Sequence, residues 1–156
     1  MNTRLNTVNE LMAKTLRLNT LGLTISELEQ WLGVGKNTYA RWEYGLRKFP
    51  DDKADMLESL VGTRDSWADD MVHTAMGGLP VQKVDGPLGR WSGDPVVPVR
   101  LPTYADDEAF WAACPQFQGI PAGVHRSAAA LAWSRLRAAG VAAVIVDAMG
   151  GEMSKA

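Results

Sequence analysis

Val8, Leu11, Met12 and Leu16 recur at helical spacing and predict a first helix with one apolar stripe. Leu21-Gly22-Leu23 closes it, because glycine accepts the positive φ of a helix stop. Thr24 then opens a Thr-x-x-Glu capping box with Glu27, so a second helix is expected to run to about Leu32, with Leu28, Trp31 and Leu32 turned inward. Gly33-Val34-Gly35 predicts a turn. A third helix follows from about Lys36 to Tyr44, with Tyr39 and Trp42 inward and Gly45 just past its end. Pro50, Asp51 and Asp52 suit the start of a fourth helix, buried through Met56, Leu57, Leu60 and Val61 and stopped by Gly62. Thr63 is expected to cap a fifth, carrying Trp67 and Met71 and ending near Gly77-Gly78.

Residues 77–102 change character, with five glycines, five prolines and little helical periodicity. Val96–Leu101 within them reads as an edge strand, where proline is tolerated. Asp106–Ala113 predicts a short helix with Phe110 and Trp111. Pro121 opens a longer one to about Ala139, with Val124, Ala128, Leu131, Ala132 and Leu136 along one side and Gly140 as its stop. Val141–Val146 is a β-branched run that predicts a strand. The expected fold is therefore mainly α: an N-terminal helix-turn-helix bundle followed by a small α+β domain. Its expected divisions are 1–76 for the helical domain, 77–96 for a linker, 97–148 for the second domain and 149–156 for a disordered tail.

Charge refines this division. The chain has 156 residues and a formal charge of −2, which argues against nonspecific polyanion binding. The charges are unevenly spread: residues 1–50 hold seven Lys/Arg against four Asp/Glu, and residues 51–80 hold two against seven. A basic N-terminal module beside an acidic segment fits a local phosphate-binding face. No apolar run approaches the roughly 18 residues of a membrane span, and the N-terminus lacks the apolar core of a signal peptide. A cytoplasmic location is the expectation. One cysteine, Cys114, excludes an intramolecular disulfide and a multi-thiolate metal site.

The chemistry concentrates in the third helix. Lys36 and Asn37 are expected in its first turn, with Arg41 four residues after Asn37. Asparagine bonds adenine in two places, and arginine or lysine bonds the guanine O6/N7 edge. Ala40 is small enough to let a helix approach the bases and meet a thymine methyl. Lys36, Asn37, Ala40 and Arg41 are thus the candidate base contacts. Gly35, Thr38, Tyr44, Arg47 and Lys48 are candidates for the phosphate backbone. The bland alternative is an amphipathic helix with a solvated polar side.

LGLTISELEQWLGVGKNTYARWEYG resembles the helix-turn-helix of phage repressors of the lambda and 434 type and of the wider XRE family, over about residues 8–61, including the Trp42-Glu43-x-Gly45 ending. That resemblance implies a dimer on an inverted-repeat operator, base contacts from Lys36, Asn37 and Arg41, and backbone contacts near Gly35, Tyr44 and Arg47. It also implies an internal ion pair for Glu43, for which Arg17 is the candidate partner. Glu29 departs from the pattern, which generally has alanine there. Either its side chain tilts outward or the two helices are unusually spaced. TISELEQWL, RWEYG and the later His125-Arg126-Ser127-Ala128-Ala129 are similar to YdiL-like proteins and anti-CRISPR-associated (Aca) regulators, which implies a dimerisation domain over residues 97–146.

The expectation is a sequence-specific DNA-binding transcriptional regulator, a homodimeric repressor on double-stranded operator DNA. The alternatives are an antitoxin whose C-terminal half binds a toxin, and a monomeric regulator whose C-terminal half adds DNA contacts. An enzyme is not expected. Gly33–Asn37 is only superficially like a phosphate loop, having Gln30 where the first glycine belongs. Cys114 with His125 is a weak nucleophile pair, and His73 with His125 lacks metal-pair spacing. No catalytic residue, metal or cofactor is assigned.

Overall fold

The computed structural model describes residues 8–77, 84–85, 90–91 and 98–150. It is mostly helical, with a small parallel sheet near the C-terminus. Helix α1, Glu10–Thr15, runs on as a π-helical segment, Leu16–Leu21, and ends at Gly22 with φ 62°. Its inner face is Ala13, Arg17 and Leu21. The apolar stripe is corrected at Leu11, which is 74% exposed. Helix α2, Ile25–Leu32, has the expected capping box: Glu27 N–H donates to Thr24 Oγ1 at 3.1 Å, and Thr24 N–H to Glu27 Oε1 at 3.0 Å.

Helix α3 is shorter than expected, Thr38–Glu43. Lys36 and Asn37 belong to the turn before it, and Asn37 takes a left-handed φ of 70°. The chain reverses through Gly33, φ 69°, and Asn37, not through Gly35. Asparagine tolerates this conformation better than most side chains, so a second glycine is unnecessary.

Helix α4 spans Asp51–Gly77 without a break, where two helices divided at Gly62 were expected. Glycine ends a helix only when it adopts positive φ, and Gly62 does not. Leu57 and Leu60 before it and Ala68 and Ala75 after it are buried, so packing carries the helix across the weak position. Thr63 is consequently an interior residue, not a cap.

Within the expected linker, Val84–Asp85 (β1) pairs antiparallel with Arg90–Trp91 (β2). Of the expected linker 77–96, Gly77 belongs to α4 and residues 78–83, 86–89 and 92–96 lie outside the described residues, as does the expected tail beyond 150. Strand β3, Val99–Thr103, pairs in parallel with β4, Ala143–Asp147, in the register Leu101 to Ile145. Between them come α5, Asp107–Ala113, a 3₁₀ turn, Pro115–Phe117, and α6, Ala122–Ala138. Asp106 caps α5 by accepting from Ala109 N–H at 2.8 Å.

The C-terminal residues pack on the N-terminal helices. Ala68 and Ala75 of α4 share a core with Ala128, Ala132 and Leu136 of α6, and with Leu101 and Val141. Small residues on both helices permit close approach. The beginning of α6 also lies against the end of the first helix. Ser127 Oγ donates to Leu21 C=O, and a Cβ on Gly123 would stand 2.7 Å from Leu23 Cδ2. Arg135 pairs with Asp69 across α6 and α4.

Candidate nucleic acid interface

The second core, around Leu28, Leu32, Tyr39, Trp42, Phe49, Leu57 and Leu60, holds α2 and α3 in place. Tyr39, Trp42 and Phe49 form a ring cluster with centroids 5.2–6.2 Å apart. Phe49 pins the end of the loop after α3, while Arg47 and Lys48 just before it stay exposed. A cleft of about 300 Å³ beside this loop is bounded by Val8, Asn9 and Glu10 on one side and Arg47, Lys48 and Phe49 on the other, with Trp42 between.

Two buried acids determine how α3 is set. Arg17 Nε donates to Glu43 Oε2 at 2.8 Å, and Nη2 to Oε1 at 2.7 Å, a two-pronged pair sealed from solvent. Arg17 Nη1 also donates to Leu23 C=O at 3.0 Å. Burial pushes the Glu43 carboxyl up, but hydrogen bonding from Arg17 and Tyr39, with the Arg17 charge, outweighs it and holds the group below the usual carboxylate range. The hydrogen bond to Glu43 pushes the Arg17 pKa higher still. The ion pair thus ties the first helix to the end of α3.

The Glu29 side chain does not tilt outward. It is buried, and its Oε2 accepts the Tyr39 N–H at 3.1 Å. It therefore satisfies one of the free donors at the start of α3. Asn37, in the capping position, makes no side-chain cap. A residue on α2 has taken over the capping task, and the Asn37 amide is not spent on it. Lys53 of α4 has a comparable inward role, donating to Leu32 C=O at 2.9 Å.

Gly35, Lys36, Asn37, Arg41, Tyr44, Arg47 and Lys48 are exposed, while Thr38 and Ala40 are half-buried. The buried side of α3 is Tyr39, Trp42 and Glu43. The partition of faces on α3 is thus the one the pattern predicts. The relation of Asn37 to Arg41 is different, because Asn37 precedes the helix. Their link is a backbone bond, Arg41 N–H to Asn37 C=O at 3.3 Å. Arg41 C=O in turn accepts from Leu46 N–H at 2.8 Å and Arg47 N–H at 3.3 Å, which folds the basic loop back against the end of α3.

The other candidate chemistry gathers elsewhere. His125 Nδ1 lies 2.7 Å from Thr103 Oγ1, inside a ring cluster with Trp67, Tyr104 and Phe110. Burial pushes its pKa down to about 4, so the imidazole is neutral at neutral pH. Cys114 Sγ is 3.7 Å from the Tyr104 hydroxyl, so Tyr104 touches both His125 and Cys114. Among the described residues there is no group of three or more His, Cys, Asp or Glu placed to hold a metal ion. Nor is any helix among them long and apolar enough to cross a membrane.

Comparison with family models, with curated proteins and with solved structures finds no match to this chain.

Proposed function

We propose that this protein is a sequence-specific DNA-binding transcriptional regulator, acting as a homodimeric repressor. The observation that carries the reading is the two-sided setting of α3. One side is anchored by Tyr39, Trp42 and the Glu43–Arg17 pair. The other, with the turn before it and the loop after it, leaves Lys36, Asn37, Arg41, Arg47 and Lys48 open to solvent. In this reading Arg41, Asn37 and Lys36 meet base edges in the major groove, with Ala40 allowing close approach. Gly35, Thr38, Tyr44, Arg47 and Lys48 meet phosphates. A second copy supplies the other half-site of an inverted repeat, and the bound dimer blocks polymerase.

The test is binding-site selection from random duplexes with wild type and Arg41→Ala in parallel. We expect an enriched palindrome, a loss of preference at one base position per half-site in the variant, and a cost of about 1–3 kcal/mol. Arg47→Ala is expected to weaken all sequences alike and to reduce the salt slope by about one. If neither wild type nor variant enriches any sequence, the reading is wrong.

A further inference from the structure

We propose that two copies of this chain pair β4 against β4 in antiparallel, extending the parallel β3–β4 pair into a four-stranded sheet across a two-fold axis. The proposal rests on the dimeric part of the function proposed above, and it names the surface that makes the dimer.

The two outer edges of this small sheet are unlike. Val99 N–H bonds to Ala142 C=O, and Ala148 N–H bonds to Thr103 C=O. In a parallel ladder these bonds turn the backbone groups of Val99, Leu101 and Thr103 toward β4. The outer edge of β3 therefore belongs to Arg100 and Pro102. A charged side chain and a missing N–H are the usual guards of an exposed edge. The outer edge of β4 belongs to Ala143, Ile145 and Asp147. The Ala143 carbonyl is held by Trp133 Nε1 at 2.9 Å. Among the described residues, Ile145 and Asp147 then carry the open N–H and C=O groups, in a run of Ala-Val-Ile-Val with no lysine or proline.

The side chains agree with this. Ile145 is registered with Leu101 and lies on the same face of the sheet. Leu101 is 2% exposed and Ile145 is 41% exposed. The core thus continues past what α6 covers, and the uncovered part adjoins the edge that carries no proline and no charge before Asp147. Val144 on the opposite face is 38% exposed. The open groups set the register. Ile145 of one copy exchanges hydrogen bonds with Asp147 of the other, and Val146 faces Val146 across the axis. The two Asp147 carboxylates then lie diagonally, not opposite, and each already accepts from Met149 N–H at 2.8 Å.

Ile145→Pro removes only an outward N–H, so the protomer keeps its own ladder. We expect wild type to sediment as a dimer at micromolar concentration without DNA. Ile145→Pro, and separately Ile145→Lys, should raise the dissociation constant by about ten- to a hundredfold, with an unchanged far-ultraviolet dichroism spectrum. Val146→Cys in a Cys114→Ser background should form a covalent dimer on oxidation, because facing residues of a non-hydrogen-bonded pair stand about 4.5 Å apart. Val144→Cys in that background should not. A wild-type monomer, or a dimer indifferent to both Ile145 variants, overturns the proposal. A dimer that Ile145→Pro weakens but Val146→Cys fails to cross-link overturns its register. A monomer that still selects a DNA sequence sinks the pairing and leaves DNA recognition standing. A cross-linked dimer that selects none supports the pairing and removes the DNA reading.

Discussion

The first fifty residues and the unit built from α4, α6 and the β3–β4 sheet bury their side chains by different means. In the first, charge is placed inside: Arg17, Glu29 and Glu43 are all sealed from solvent. In the second, alanines let α4 and α6 approach, with Leu136 between them and the Arg135–Asp69 pair at the surface, and larger side chains gather in rings around His125. What each leaves outside is also different. The first exposes Lys36, Arg41, Arg47 and Lys48 together with Leu11 and Leu46, and the second exposes Val144 and Ile145 on a sheet strand. Buried ions fix direction as well as position, because a two-pronged pair tolerates little rotation. Alanine packing fixes distance alone. A helix that must present particular side chains needs the former, and a scaffold that brings two halves together needs only the latter.

The sharpest way to break this contrast is at Arg17. Arg17→Met leaves the Glu43 carboxylate buried without its partner and should cost about 3–5 kcal/mol in urea unfolding. Arg17→Met with Glu43→Leu should recover most of that loss, since the uncompensated charge is gone. If the double variant is as unstable as the single, the pair's charge is not what holds α3.

The next effect tests the second region by pH. His125 has a folded pKa of about 4, below the unfolded value. The unfolded chain therefore binds more protons between the two, and stability rises with pH across that window. The contribution is complete above about pH 6.5 and is lost as pH falls toward 4, reaching about 2–3 kcal/mol. Thermal unfolding of wild type should weaken across this interval, and His125→Phe should flatten that part of the profile. The Glu43 carboxyl, held low by Arg17, adds a contribution present above the ordinary carboxylate range and lost as the pH falls through and below it.

Glu29 gives a smaller effect and returns to the first region. Glu29→Ala strips the Tyr39 N–H of its acceptor and should cost about 1–2 kcal/mol. Glu29→Gln keeps an acceptor and should cost less. Equal losses in chemical denaturation would mean that the charge, not the cap, is what α3 uses.

Legibility in the sequence divides along the same line. The capping box at Thr24 and Glu27, the stops at Gly22, Gly45 and Gly140, and the strands near Val99 and Ala143 could be located because each depends on neighbours in the chain. The outward setting of Arg41 and the inward setting of Tyr39 and Trp42 followed from helical period. Glu29 was singled out but its role was not foreseen, and Lys53 was missed, since each bonds a backbone group on another element, and nothing local marks that partner. Phe49 was missed for want of a periodic neighbour. The start of α3 was misplaced by two residues, because Asn37 stood in for glycine in the left-handed position.

Gly62 yields the smallest effect and the most direct test of why α4 is continuous. Local preference argued for a stop there, and the helix passes through it. If packing on both sides enforces that continuity, the glycine is only a weak point, tolerated at the expense of chain entropy. A Cβ at this position meets nothing within 4 Å, the residue is exposed, and its φ is not positive. Gly62→Ala should therefore stabilise the protein by about 0.5–1 kcal/mol in denaturant unfolding, through the unfolded chain's reduced freedom. Both regions hang on α4, through Leu57 and Leu60 before the glycine and Ala68 and Ala75 after it. The gain should then appear as one shifted cooperative transition, not as a change in one half. A loss of stability would mean that α4 needs a bend at Gly62 that alanine opposes.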